Sequence, residues 1–200
     1  MSVEIPWSRI AFVSAPRPIL FGGNQEGALG GPPLPIARMG DRFAIDVRTT
    51  QLRQDAESRL LIAALTEATT ADARIAIKLP NLPVLSGVSS AVVDGAGQAG
   101  MQLKMRGLSS GAVIPRGYFF SILHGGAYFV HMAAANVTAG SDGKVTLPIW
   151  PMLRFITVDS EPCAVATPMI EGQLVGFDSR GATFSRLRTD PISFSIVERA

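Results

Sequence analysis

Three glycines near the middle of the chain have the spacing of a nucleotide-binding motif. Gly95, Gly97 and Gly100 spell G-x-G-x-x-G directly after a short β-branched run. In a dinucleotide-binding fold, such glycines open a helix whose N-terminal amides hold a pyrophosphate. Here they open MQLKMRG, in which apolar and polar residues alternate as in a strand, and the acidic residue expected about 20 positions later is missing. We therefore interpret the glycines as turn residues that adopt positive φ at low cost.

The other reactive side chains are few and widely spaced. His124 lies in a predicted hairpin turn and His131 within an apolar strand, so we expect a solvated histidine and an edge or core histidine, without a metal site. The single Cys163 excludes an internal disulfide and a cysteine metal cluster, and we interpret it as a small buried apolar residue. A P-loop is absent, because no Gly-Lys-Ser or Gly-Lys-Thr occurs.

Carboxylates and aromatic rings leave two further possibilities. The acidic residues fall mostly in loops and on polar faces, but carboxylates from different strands can meet in three dimensions, which leaves a hydrolase open. The aromatic residues between 118 and 129 can stack on bases or sugars, although core and cross-strand packing is the favoured interpretation. We predict no catalytic, cofactor-binding or metal-ligating residue, and we expect that the chain is not an enzyme.

The composition is that of a loop-rich β protein with a sizeable core. The chain has 200 residues, of which 47% are hydrophobic and 17% charged, and this excludes wholesale disorder. Its 18 Lys and Arg residues are spread without a run, so the clustered basic surface of a nucleic-acid-binding protein is not expected. No apolar run is long enough for a membrane span and the start lacks a signal-peptide pattern, so we expect a soluble protein made in the cytoplasm, without membrane contact.

Residues 1–41 differ from the rest of the chain. Pro and Gly surround short apolar pieces in SAPRPILFGG and GALGGPPLPI. Since Pro removes a backbone donor and Gly weakens a strand, we predict an extended N-terminal arm with at most one short strand. The arm either crosses onto a neighbouring subunit or wraps its own surface. Residues 42–200 are predicted to form a single β-rich domain.

Hydrophobic periodicity predicts one helix among strands. Residues 43–47 alternate as a strand with one wet face, and residues 51–70 then change to a helical period. The predicted core stripe of this helix consists of Leu52, Ala56, Leu60 and Ala63 or Ala64, broadened by Leu61 and Leu65. Strand-like alternation returns at Ile75, Ile77 and Leu79, and again at Met101, Leu103 and Met105.

The second half of the chain is predicted to be almost entirely β. His124-Gly125-Gly126 marks a tight hairpin, and Ser141-Asp142-Gly143 marks a second one. Further short strands are expected at 163–169, 172–177, 183–187 and 192–197. Strands separated by turns favour antiparallel pairing. The predicted fold is therefore mainly β: an antiparallel β-sandwich or barrel with one flanking α-helix and the extended arm.

The segment 115–154 resembles a type of tail protein of long-tailed bacteriophages. The shared features are a strand entering after a glycine, a Val-Thr-Ala to Asp-Gly turn, a Thr-Leu strand and a closing Pro-x-Leu-Arg. In this chain they are Gly117, Phe120, Val137-Thr138-Ala139, Asp142-Gly143, Thr146-Leu147 and Pro151-Met152-Leu153-Arg154. The strand–helix–strand at 43–79 and the terminal SFSIVE are similar too. The chain thus resembles a siphovirus-like distal tail or tail-hub adaptor protein over residues 43–200.

This resemblance implies a structural virion protein on a β-barrel or sandwich. It implies a ring, hexameric by analogy, that joins the tail tube to the baseplate hub and contacts tube, tape-measure and hub proteins. Because Trp and Arg often anchor interfaces, we predict interface roles for Trp7, Arg9, Phe12, Trp150 and Arg154. For Trp150, a place in the core is the alternative. The alternative is a carbohydrate- or receptor-binding β module of the tail tip, in which aromatic faces bind sugars.

Overall fold

The computed structural model describes residues 2–27, 30–36, 38–78, 85–177, 181–183 and 190–199. These residues contain the helix α1 (Ala56–Glu67), a 3-10 turn (Trp7–Arg9) and short strands. In chain order the strands are β1 (Val3–Glu4), β2 (Ile10–Val13), β3 (Arg17–Ile19), β4 (Gly23–Gln25), β5 (Leu34–Ile36), β6 (Arg42–Thr49), β7 (Ala73–Ala76), β8 (Val92–Val93), β9 (Gly100–Arg106), β10 (Val113–Ile114), β11 (Phe119–His124), β12 (Ala127–Ala133), β13 (Val137–Thr138), β14 (Val145–Leu153), β15 (Cys163–Ala164), β16 (Met169–Val175) and β17 (Ser193–Glu198).

The first large sheet is open and has the order β1-β7-β16-β17-β6-β2, with β3 also paired to β6. Only the β1–β7 pair is parallel among its described pairings. On β6, Phe43, Ile45 and Val47 are buried while Asp46 and Arg48 face outward, so the predicted alternation is confirmed. The inner face of this sheet carries the first hydrophobic core.

The helix forms as predicted, but it buries a different face. Asp55 caps its start by accepting a hydrogen bond from the Ser58 amide at 2.8 Å. Leu61 and Leu65 are fully buried, whereas Leu60 is 63% exposed. The prediction is therefore wrong for Leu60 and Ala56, and of the alternatives Ala63 and Ala64 only Ala64 packs against the core. It is confirmed for Leu52, Leu61 and Leu65. Side chains one position apart on a helix diverge by about 100°, so the docking of the capped first turn decides which leucine turns inward.

The second large sheet curls into a barrel of order β15-β11-β12-β14-β9-β8. Its two ends meet where Val92 bridges Pro162, flanked by the hydrogen bonds from Cys163 N to Ala91 O (2.9 Å) and from Val93 N to Glu161 O (3.0 Å). Closure removes the unpaired edges that an open sheet would expose. The barrel interior forms the second hydrophobic core.

Three barrel strands contribute buried side chains to both hydrophobic cores. Phe119, Val130 and Trp150 point out of the barrel and pack into the first core, while Phe120 and Leu147 point into the barrel. Because alternate residues of a strand face opposite sides, β11, β12 and β14 are apolar on both faces. The mainly β fold with one helix is thus confirmed, as a barrel packed against an open sheet.

The predicted turns are formed, although one of them does not join a hairpin. Gly95 and Gly97 have positive φ between the antiparallel strands β8 and β9, and Gly100 has positive φ at the first position of β9, which confirms their interpretation as turn residues. The two-residue hairpin at Gly125-Gly126 is confirmed by the pairing of β11 with β12. A turn also forms at 140–144, but β13 pairs with β10, so the second predicted hairpin is wrong.

Later strand boundaries differ in part from those predicted. The segment predicted at 163–169 contributes only β15, and β16 begins at Met169. The strand predicted at 192–197 is confirmed as β17. Met101 lies on β9 as predicted but is exposed, because it precedes the strand's buried residues at the rim. Leu79 and residues 184–187 of another predicted strand lie outside the described residues.

The N-terminal segment is more ordered than predicted. It contributes the five strands β1 to β5, so the expectation of at most one short strand is wrong. Ile5 is almost fully buried in the first core, and β2 and β3 pair with the outer edge of β6. An open sheet edge provides unpaired amides and carbonyls, and two- to four-residue strands can pair there despite neighbouring prolines.

Candidate functional site

A hairpin with exposed apolar side chains follows β3, the strand that pairs with the outer side of β6 in the open sheet. We call the described residues 20–27, 30–36 and 38–41, which include β4 and β5, the arm hairpin. At its base, the Asp41 carboxylate accepts hydrogen bonds from the amides of Phe21 (2.7 Å) and Gly22 (3.2 Å). Asp41 is buried, so these bonds tie the two ends of the hairpin together in a dry environment.

The arm hairpin buries little of its own apolar surface. Leu20, Phe21, Leu34 and Met39 are between 58% and 65% exposed, and Ile36 is 37% exposed. β4 and β5 pair only with each other among the described strands. An isolated two-stranded hairpin is marginally stable in water, and clustered exposed apolar residues mark interaction surfaces. The arm hairpin therefore has the properties of a segment that is covered by a partner.

A second exposed feature is a groove of about 940 Å³ on the outer face of the open sheet. Strand register places Phe12 beside Arg48 and Arg48 beside Ser193, so three strands contribute to one row. In the next row Asp46 pairs with Ser195. Phe12 is 58% exposed and provides the aromatic face of this groove.

The groove contains one negative and one positive side chain, of which only the negative one has partners within the described part of the chain. Asp46 accepts hydrogen bonds from the Ser195 hydroxyl (2.6 Å) and Arg17 Nε (3.2 Å). The Ser195 hydrogen bond, together with Arg17, holds the pKa of Asp46 below its usual value. Arg48 is exposed and forms no ion pair within the part of the chain that the structure describes. The groove thus offers an uncommitted cation next to an aromatic ring.

Two of the predicted interface residues in the arm are used within the chain. Trp7 packs against the first core, with Lys78 Nζ 4.9 Å from the centre of its ring. Arg9 bonds to the carboxylate of Asp55 and lies 3.2 Å from that of Glu57, at the start of α1. These contacts tether the N-terminal segment to the helix.

The two predicted interface residues after the barrel strand also turn inward. Trp150 lies edge-on to Phe43, with ring centres 5.0 Å apart. The Arg154 side chain is only 4% exposed, and its Nη2 lies 3.0 Å from Glu198 Oε1. Among the five residues predicted to form interfaces, Phe12 alone has a widely exposed side chain.

Buried carboxylates join the barrel to the open sheet. Glu198 accepts hydrogen bonds from the amides of Phe43 (2.7 Å) on β6 and Val130 (2.6 Å) on β12. Glu171 accepts one from the Tyr128 amide (3.2 Å) on the same side of β12. Burial raises the pKa of Glu198 despite the opposing effect of Arg154. The two side chains satisfy strand amides where the sheets meet, and this is a structural role.

The glycine motif is held as a loop by an ion-pair cluster. Arg106 binds Asp159 through two nitrogens, at 2.6 and 3.1 Å, and Asp94 at 3.0 Å. Asp159 Oδ1 also accepts from the Gly95 amide at 2.7 Å. The Arg106 hydrogen bond is the main cause that lowers the pKa of Asp159. These groups satisfy one another, and the loop amide that a phosphate would need is already bonded.

The histidines lie apart and have different partners. The ring of His124 stacks on Phe155 at 4.1 Å and bonds to Glu161, so it is partly covered and the expectation of a solvated turn histidine is wrong. His131 is fully buried, as expected for a core histidine, and its Nδ1 lies 2.9 Å from Pro151 O. Burial lowers the pKa of His131 to about 3. No group of three His, Cys, Asp or Glu residues that could hold a metal occurs among the described residues.

Two possible nucleophiles are placed where their role is structural. Cys163 is buried, and burial raises the pKa of its thiol to about 12, which keeps it protonated and unreactive. Residues 107–111, GLSSG, have the lettering of a G-x-S-x-G nucleophile elbow. They follow β9 and form turns, with positive φ at Gly107 and Gly111, so the strand-to-helix geometry of such an elbow is not formed.

Compared with known proteins, the chain matches no family model, and no curated sequence is significantly similar to it. None of the helices in the described ranges is long and apolar enough to cross a membrane. The arm hairpin and the groove are therefore the features from which a function can be argued.

Proposed function

We propose that the chain is a structural protein that assembles with copies of itself into a ring. The observation that carries this proposal is the arm hairpin, whose base is fixed by Asp41 while Leu20, Phe21, Leu34 and Met39 remain exposed. A fixed base lowers the entropic cost of docking, and apolar side chains supply the driving force. Enzyme activity is not part of the proposal.

The resemblance to distal tail and tail-hub adaptor proteins supports a specific setting for this ring. We propose that it belongs to a phage virion, joins the tail tube to the baseplate hub and contacts the tube, tape-measure and hub proteins. By the same analogy it has six copies. A hairpin that docks on a different surface of the next copy makes a heterologous contact, and such contacts close into rings when the rotation fits.

Size-exclusion chromatography with light scattering tests the proposal. The wild-type chain of 21.2 kDa is expected to elute as an oligomer, and the double variant Leu34→Asp/Ile36→Asp as a folded monomer. Leu60→Asp is the control, because it makes the same type of substitution, Leu to Asp, at a leucine that is 63% exposed on the helix. A wild-type monomer at every concentration, even with neighbouring tail proteins present, would contradict the proposal.

The groove favours a second candidate function, a carbohydrate- or receptor-binding module. Phe12 offers a ring face for a sugar, and Arg48 and Asp46 supply polar partners on the same surface. This candidate predicts that a monomeric chain binds in a glycan array and that Phe12→Ala abolishes the signal.

A further inference from the structure

We propose that the groove at Phe12 and Arg48 is the acceptor site for the arm hairpin of a neighbouring copy. This inference rests on the proposed function and specifies the surface to which each copy binds. The occupant is thus an apolar β-hairpin of the same chain, and the contact is head-to-tail.

The geometry of β6 separates the two surfaces within one chain. The arm hairpin leaves β3 after Ile19, which pairs with Arg42, and it returns to β6 through Asp41. The groove lies at the other end of the strand, where Phe12 pairs with Arg48. Six residues of extended strand span about 20 Å. The hairpin base and the groove therefore lie at opposite ends of β6.

The composition of the groove supports the same conclusion. Within the described ranges, none of its lining residues comes from the arm hairpin. Phe12 and Val175, which line the groove, remain 58% and 43% exposed. The hairpin of the same chain thus leaves the groove open, and a copy displaced along the β6 direction can fill it.

The two surfaces are chemically complementary. The groove offers Phe12 and Val175, and the hairpin offers Leu34 and Ile36, so docking would remove apolar side chains of both from water. Glu26 at the end of β4 is exposed and, like Arg48, forms no ion pair among the described residues. Glu26 of the hairpin and the free Arg48 of the groove can pair across the contact, which gives specificity. A contact between two different surfaces repeats from copy to copy, as a ring requires.

Disulfide trapping between separately expressed variants tests the pairing directly. Leu34→Cys and Phe12→Cys chains are mixed, allowed to exchange subunits and oxidised mildly. A covalent dimer is expected from the mixture and from neither variant alone, because the contact joins unlike surfaces. Cys163 is buried with a raised thiol pKa, so it does not compete. Leu60→Cys mixed with Phe12→Cys is the control and should give no dimer.

Charge reversal gives an independent measurement on the assembled protein. Arg48→Glu or Glu26→Arg alone is expected to weaken subunit association about tenfold, and the double variant should recover most of it. Arg53→Glu, which reverses an exposed charge away from the groove, is the control. If both single variants associate as tightly as the wild type and no covalent dimer is trapped, the groove is not the acceptor site, although the proposal of self-assembly still stands. A protein that never associates would overturn both proposals, and glycan binding at Phe12 by that monomer would identify the other occupant.

Discussion

Several charged side chains in this protein form hydrogen bonds and ion pairs within the chain, and residue type alone does not predict these contacts. Glu198 and Arg154 look like surface charges in the sequence, yet both are buried and bridge the two sheets. Arg106 and Asp159 likewise close a glycine loop. A group whose hydrogen bonds are all satisfied within the chain has little capacity left for a ligand. The exposed and uncommitted residues, Phe12 above all, are the better guides to function.

Adjacent leucines on the helix provide a residue-scale prediction. Leu60→Asp is expected to change the free energy of unfolding by at most about 0.5 kcal/mol, because that side chain is 63% exposed. Leu61→Asp places a charge in the first core and should cost several kcal/mol or prevent folding. Urea denaturation followed by circular dichroism measures both. Equal losses for the two variants would show that the helix is docked by another face.

At the scale of elements, the N-terminal segment has two parts with different pairing. Residues 3–19 contribute strands to the open sheet, whereas the strands of the arm hairpin that follows pair only with each other among the described residues. Residues 1–41 have the sequence pattern of one arm, because proline and glycine mark irregular chain equally in both parts. Residues 3–19 differ from the arm hairpin because their strands pair with edges of the open sheet, at β7 and β6.

Truncation separates these parts experimentally. Deleting residues 1–13 removes β1, β2 and the buried Ile5, so we expect loss of the cooperative unfolding transition or a large drop in Tm. The Leu60→Asp variant serves as the reference, since it alters an exposed helix position and should melt close to the wild type. Differential scanning calorimetry distinguishes them. Wild-type melting of the truncated chain would mean that the first strands are dispensable for the fold.

At the scale of the whole molecule, the barrel and the open sheet share strands and share buried polar bridges. β11, β12 and β14 contribute side chains to both cores, and Glu198 accepts amides from both sheets. Losing either core exposes apolar residues of the same strands. We therefore expect the two layers to unfold as one cooperative unit.

The buried His131 makes the stability of this unit dependent on pH. Its pKa falls to about 3 in the folded protein, whereas an unfolded histidine has a pKa of about 6.5. The unfolded state then binds more protons between these values, so stability is fully present above about pH 6.5 and falls by several kcal/mol as the pH drops towards 3. His131→Phe should flatten this dependence in urea denaturation between about pH 4 and pH 6.5. An unchanged slope would mean that other groups set the acid sensitivity.

Local patterns in the sequence determined the types of element, because periodicity and turn chemistry act over a few neighbouring residues. The alternation at 43–47, the glycine turns after Val93 and the hairpin at Gly125-Gly126 were all predictable in this way. The buried state of Cys163 and the absence of a dinucleotide-binding helix also followed from residue type and spacing. The resemblance to phage tail proteins remains a prediction that rests on the sequence.

Only the tertiary structure decided which strands pair, which helix face is buried and which charges meet. Leu60 and Leu61 are equally apolar, and the docking of the helix against the sheet chose between them. The closure of the barrel through Val92 and Pro162 joins residues about 70 positions apart, beyond any local signal. The distance between the arm hairpin and the groove likewise depends on the pairing of β6 with β17 on one side and with β2 and β3 on the other. These pairings join distant parts of the chain, so no short window of sequence predicts them.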